Sequence, residues 1–292
     1  MTHRTKSLAE ISSSYDSLLC DLWGCVHNGV APFPEAVAAL RAFRADGGTV
    51  LLLTNAPRPA SNVRASLDRL GVPHDAYDGI VSSGDAGQIA AFDGVVGQRV
   101  WHLGAAKDDG FFTDGIAGDA GTVTLERVAL EEAQGIICTG LFDDQTEGPD
   151  DYVERLRAAK ARDLPMLCVN PDQIVVMGDR KIHCAGALAR VYESMGGDVV
   201  YFGKPYAPIY DLARRRLTGI TGMDAPRILA IGDGIETDIA GAAGNGIDAL
   251  FVTGGIAADA FGPDAPTPDE DRLTAWLADQ GQAPKYVIGK LG

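Results

Sequence analysis

Four side chains able to do chemistry each close an apolar run of this sequence. Asp21 follows Leu18, Leu19 and Cys20 in "LLCDLWGCVHNG", and Thr54 with Asn55 closes "GTVLLLTN". Lys204 follows "GGDVVYFG", and Asp233 closes "APRILAIGD". An aspartate so placed can act as a nucleophile, dividing a difficult displacement into two steps through a covalent intermediate. Lysine offers a compact cation to an anionic group, and a threonine hydroxyl or backbone N–H can donate to its other oxygens. Asp233 and Asp238, in "GDGIETD", add hard oxygens after a glycine-opened turn, the kind of ligand Mg²⁺ takes. Such a cation would also offset the repulsion between these acids and an anionic substrate. Phosphoryl transfer asks mostly for positioning and charge neutralisation, and this set could supply both. Each piece alone has a plainer reading, as helix cap, solvated lysine, turn former, or solvated or Ca²⁺-binding loop.

The elements that must position these residues read as alternating strands and helices, which implies an α/β fold with a parallel sheet. "GIDALFVTGG" closely follows the Asp233 run as a further strand. Between strands, "PEAVAALRAFRADGG" has Pro34 at its start, Val37, Leu40 and Phe43 at helical spacing, and a stop at Gly47. "PASNVRASLDRLG" and "AGALARVYESMGG" repeat the pattern. In an open parallel sheet ligands bind beyond the carboxyl ends of the strands, so Asp21, Thr54, Lys204 and Asp233 are expected to converge on one crevice.

The middle third carries its own strand candidates, "RVWHLG", "AQGIICTG" and "PMLCVN", and a helix candidate, "PDDYVERLRAAKARD". We expect a core of residues 1–87 and 186–292 interrupted by a small α/β domain over 88–185. The chain of 292 residues is long enough for two domains, and its 46% apolar and 22% charged residues suit a globular protein with a full core. A net charge of −15 repels nucleic acid and anionic membrane, so neither is an expected partner. Five cysteines without C-x-x-C spacing suit small buried residues in a reducing compartment. No run has signal-peptide or membrane-spanning character, and a cytoplasmic location is expected.

In order, spacing and strand-end placement the set resembles the haloacid dehalogenase superfamily of aspartate-nucleophile phosphotransferases. Asp21 matches the first motif, Thr54 the second, Lys204 in "GKP" the third, and Asp233 with Asp238 the fourth. An insertion between the second and third motifs, together with "TNAPR", "SSGDA", "VNPD" and "YFGKP", is similar to the class IIA caps of the NagD and p-nitrophenylphosphatase-like group. The resemblance implies a Rossmann-like core and a Mg²⁺-dependent phosphatase acting on a small phosphorylated metabolite. It further implies that Asp21 attacks phosphorus and ligates Mg²⁺ with the backbone carbonyl of Trp23 and with Asp233, Asp238 ligating or orienting. Thr54, Asn55 and Lys204 would hold the transferring phosphoryl group, Arg58 would bind substrate, and Asn170 and Asp172 would contact it from the cap. Caps of this kind resemble surfaces used for dimers, which makes a homodimer compatible with the sequence.

One position departs from the pattern. Phosphatases of the superfamily usually carry a second aspartate two residues after the first, where this chain has Trp23. That aspartate protonates the leaving oxygen and later activates water, and an indole N–H does neither. A positioned acid–base contributes about 10²–10⁴-fold, so the expectation is a phosphoenzyme that forms but turns over slowly. His27 is the nearest substitute base by chemistry, and otherwise a substrate contact or a packing residue. The alternatives are a phospho-ligand binding or sensing protein that has lost turnover, or a hydrolase cleaving a different bond.

Overall fold

The apolar runs before Asp21, Thr54 and Asp233 are neighbouring strands of one sheet, and their pairing explains why the residues after them meet. The computed structural model describes residues 2–114, 124–178, 180–224, 226–262 and 265–292. In chain order its strands are β1 (His3–Arg4), β2 (Ser17–Cys20), β3 (Thr49–Thr54), β4 (Gly79–Ser82), β5 (Arg99–Leu103), β6 (Glu126–Arg127) and β7 (Gly135–Cys138). They continue with β8 (Met166–Cys168), β9 (Ile174–Met177), β10 (Arg180–His183), β11 (Val199–Tyr201), β12 (Ile228–Gly232), β13 (Asp248–Val252) and β14 (Tyr286–Ile288).

The first sheet runs β1-β14-β13-β12-β2-β3-β4, and its pairs are parallel. Buried on both faces, its central strands read as unbroken apolar runs rather than alternating ones. Leu18, Cys20, Leu52 and Ile231 face one apolar cluster, shared with Val37, Leu40 and Phe43 of helix Pro34–Ala45. Leu19, Leu51, Leu53 and Ala230 face the other, under Ile209, Leu212 and Leu217 of helix Ala207–Thr221. Truncating one of the fully buried leucines to alanine should cost about 2–5 kcal/mol. The sheet grows in opposite directions from β2 and β12, and Cys20 pairs with Ile231 across that join. Asp21 and Asp233 therefore leave the sheet side by side at its topological switch point, where an α/β sheet opens a crevice.

The second sheet, β11-β8-β7-β5-β6, is also parallel and has its own core of Leu103, Ile136, Leu156, Met166, Leu188 and Tyr192. Helices Val153–Lys160 and Ala185–Ser194 pack into it. A separate antiparallel pair, β9 with β10, lies between them in sequence. The boundary expected at residue 186 falls inside the stretch of chain that builds this second sheet. Val199 pairs with Met166 and Tyr201 with Cys168, so the run before Lys204 is a strand of the second sheet. Among the described residues no helix is long and apolar enough to cross a membrane.

Candidate active site

Asp21 is the first residue past β2, with its N–H donating to the Ile231 carbonyl at 2.8 Å, a hydrogen bond that extends the β2–β12 ladder. Its carboxylate is almost fully buried and meets Lys204, whose Nζ lies 2.6 Å from Asp21 Oδ1 and 2.7 Å from Asp238 Oδ1. The ammonium also donates to the Leu53 carbonyl at 3.1 Å, which satisfies all three of its donors. Asp238 sits on a π-helical turn, Ile235–Ile239, where the sequence reads as a loop, and its Oδ2 accepts from the Gly234 N–H at 3.1 Å. Asp238 is thus a partner of Lys204, while Asp233 turns the other way and accepts from the Ile256 N–H at 2.6 Å.

One ligand atom each of Asp21, Cys25 and Asp233 lie within 4.8 Å of one another, all three residues buried. The backbone closes round them. Gly24 has φ +74°, and a Cβ there would stand 1.9 Å from Asp233 Oδ2; one at Gly255 would stand 2.0 Å from the same atom. Burial raises Asp21 and Asp233 above the usual carboxylate range, against the pull of Lys204. It likewise lifts Asp238 to about 6. Burial alone would lower the Lys204 ammonium, but Asp21, Asp238 and Asp172 outweigh it and hold the group protonated. Three buried acids against one ammonium leave an excess of negative charge that is costly to bury, and a divalent cation between Asp21 and Asp233 would balance it. Burial keeps the Cys25 thiol neutral, so the donor set suits a hard, oxygen-preferring ion.

Two cavities reach Asp21. One, of about 200 Å³, is walled by Thr54, Arg58, Asp108, Asn170 and Asp172, with Trp23 at its side. The other, of about 220 Å³, runs past Lys204, Asp233 and Asp238 toward Phe33, Val176 and Ile256, and Trp23 and Asp172 line it too.

The haloacid dehalogenase-like hydrolase profile matches residues 18–113, and a HAD-hydrolase-like profile matches 201–289. A solved haloacid dehalogenase-like hydrolase from Brucella suis 1330 is 39% identical, with 99% of this chain and 100% of that chain covered and a TM-score of 0.85. This chain belongs to the haloacid dehalogenase-like hydrolase family. It is also similar to the D-glycerol 3-phosphate phosphatase of Mycobacterium tuberculosis, 28% identical over 251 residues. That match takes in 85% of this chain and spans 66% of the relative's length. The p-nitrophenyl phosphatase of Archaeoglobus fulgidus shares the fold at 22% identity, with 94% and 96% of the two chains covered and a TM-score of 0.68.

Within this haloacid dehalogenase-like hydrolase, the remaining residues singled out from the sequence are placed unequally. The Thr54 hydroxyl is buried beside the first cavity and accepts from the Ala56 N–H at 3.2 Å. The Asn55 side chain is engaged by the protein itself. Its Oδ1 accepts from the Lys204 N–H at 2.7 Å, and its Nδ2 donates to the Lys204 carbonyl at 3.1 Å and to Asp172 Oδ1 at 2.8 Å. Asn55 therefore clasps the end of β3 to the residues arriving from β8 and β11. Arg58 lines the first cavity, its Nε 3.6 Å from Asp108 Oδ1. Asn170 holds the turn by accepting from the Asp172 N–H at 3.0 Å.

His27 lines neither cavity. Its ring is buried, its Nδ1 accepts from the Gly29 N–H at 3.0 Å, and burial lowers it to about 4, so it is a neutral part of the turn after Asp21. Three residues with no motif to mark them join the first cavity: Lys107 and Asp108, from a 3-10 helix over Ala106–Phe112, and Asp144, ion-paired with Lys107. Their positions depend on how that helix packs, for which the sequence carries no local signal. Cys25 reads in the sequence as a small buried residue; that it stands among the acids follows only from the turn of the backbone at Gly24.

Proposed function

We propose that this chain is a divalent-metal-dependent phosphatase of small phosphorylated metabolites, working through an aspartyl-phosphate on Asp21. We take residues 88–202 as the inserted unit that shapes its leaving-group pocket. The observation that carries this reading is Asp21 itself: a strand-end carboxylate, paired with a fully donated lysine, beside Asp233 and at the mouth of two cavities. The M. tuberculosis relative named as a D-glycerol 3-phosphate phosphatase adds support. So do solved structures of glycerol phosphate phosphatase from that organism in complex with magnesium and with calcium.

In this reading Asp21 attacks phosphorus and the bond to the leaving oxygen breaks; water then opens the aspartyl-phosphate. Lys204 offsets charge on the nucleophile and on the transferring group, and the Thr54 hydroxyl with nearby backbone N–H groups holds its oxygens. Asp21 and Asp233 would hold Mg²⁺, with the backbone at residues 23–24 beside them and Asp238 orienting Lys204. When bound, the ion supplies neutralisation of the charge that builds on the phosphoryl oxygens. Trp23 favours a second reading, a protein that binds a phosphorylated ligand with little turnover.

A time course of nitrophenolate release from p-nitrophenyl phosphate, with Mg²⁺ and near-stoichiometric enzyme, separates the two. Release by the native protein that is lost in Asp21→Asn supports the phosphatase. Binding of phosphate without any release supports the ligand-binding protein.

A further inference from the structure

Position 23 supplies no proton, and His27 is turned away with its Nδ1 engaged, so the acid–base step needs another group. Asp172 is the carboxylate that meets the requirement. It lines both cavities that reach Asp21, whereas Asp108 and Asp144 line only the first. Asp108 faces Arg58 and Asp144 is paired with Lys107, whereas among the described residues Asp172 makes no ion pair within 4 Å and feels Lys204 only at longer range. Its Oδ1 accepts from Asn55, and among the described residues its Oδ2 takes no hydrogen bond. The Asn170–Pro171–Asp172 turn is fixed at both ends, by Asp172 N–H to Asn170 Oδ1 at 3.0 Å and by the Gly186 N–H to the Asp172 carbonyl at 3.1 Å.

We propose that Asp172, delivered by the second sheet, is the general acid–base that this chain lacks at position 23. The inference rests on the phosphatase reading above. In the first half-reaction Asp21 bonds to phosphorus, the bond to the leaving oxygen breaks, and the Asp172 carboxyl gives its proton to that oxygen. In the second, water bonds to phosphorus, the Asp21–phosphorus bond breaks, and the water's proton returns to Asp172. The sum is ester plus water to alcohol plus phosphate, with both aspartates restored. Burial raises Asp172 above the usual carboxylate range, as a proton donor requires.

The test compares native protein, Asp172→Asn, Trp23→Asp and the double variant. The substrates are p-nitrophenyl phosphate, whose leaving group needs no proton, and glycerol 3-phosphate, whose leaving group does. Asn keeps the acceptor for Asn55, so the fold should hold by circular dichroism. Asp172→Asn should give a nitrophenolate burst of about one equivalent and then stall, and should lose about 10²–10⁴-fold in kcat on glycerol 3-phosphate. Adding Trp23→Asp should restore turnover by at least about tenfold, which a purely structural role for Asp172 would not permit. Turnover of both substrates by Asp172→Asn at the native rate overturns the proposal. So does equal loss on both without a burst. If Trp23→Asp does not fold, burst size and the ratio of the two losses in Asp172→Asn decide. Absence of any release by the native protein overturns the phosphatase reading instead, and this proposal with it.

Discussion

The indole of Trp23 stands edge-on to the imidazole of His27, with ring centroids 5.1 Å apart and planes at 71°. The indole also lies so close to Gly29 that a Cβ there would stand 2.4 Å from the ring. Trp23 therefore spends its side chain on ordering the turn after Asp21, and His27 completes that turn as a neutral acceptor. Burial lowers His27 to about 4 from 6.5, so the unfolded chain takes up this proton first as pH falls. The stabilisation is fully present above the unfolded value and is lost as pH drops toward the folded one. Between about pH 7.5 and about pH 5 the native protein should lose about 2 kcal/mol more than His27→Gln. Urea unfolding at the two pH values measures the difference; equal losses would place His27 in water.

Lys204 is the counter-charge of two buried carboxylates. Lys204→Met should destabilise the protein by about 3–5 kcal/mol at neutral pH, because Asp21 and Asp238 are left without it. The deficit should shrink in acid, since protonating those carboxyls removes the uncompensated charge. Denaturation midpoints across pH give the answer. A deficit independent of pH would mean that lost packing, not charge, is responsible.

A divalent cation should stabilise the folded chain without any substrate present. At roughly a hundredfold excess over its dissociation constant, Mg²⁺ should add about 2.7 kcal/mol, and chelation should reverse it. Asp233→Asn should abolish most of that gain while raising the stability of the metal-free form, because one buried charge is removed. Calorimetric Tm with and without Mg²⁺ reads both effects. A variant that still responds fully to Mg²⁺ would remove Asp233 from the ion's ligands.

Gly24→Ala should destroy the same response by a different route. The new Cβ collides with Asp233 Oδ2 and the backbone is held at φ +74°, strain of about 1–3 kcal/mol before the collision is counted. The expected result is a folded but less stable protein whose Tm no longer rises with Mg²⁺. An unchanged titration would show that the turn at residues 23–24 does not border the ion.

Much of this could be read from the chain because buried parallel strands leave continuous apolar runs, and a polar residue stands at the end of β3 (Thr54) and directly after β2 (Asp21) and β12 (Asp233). The strand before Lys204 was equally legible as a strand but not as a member of the second sheet. "VVY" looks the same in either, and its partner β8 is distant in sequence. Asn55 illustrates a different gap. The motif marks the residue, but whether an amide binds ligand or clasps Lys204 and Asp172 is decided by chain segments more than a hundred residues away. His27 has the right chemistry for a base, and only the direction of its ring, set by Gly29 and Trp23, removes it from the cavity.

The crossing from β11 into the site has a mechanical meaning. Lys204 comes three residues after Tyr201, the last residue of β11, and Asp172 comes four after Cys168, the last of β8. Extended chain covers at most about 3.6 Å per residue, so the leash from Tyr201 to Lys204 is no longer than about 11 Å. β8 and β11 are hydrogen-bonded to each other, and together they hold both Lys204, the cation paired with Asp21, and Asp172, which lines the two cavities that reach Asp21. If Asp21 is the nucleophile proposed above, a leaving group gripped by the second sheet would be tied through covalent chain to the charge on that nucleophile. Substrate recognition and nucleophile activation would then be two readings of the position of one pair of strands.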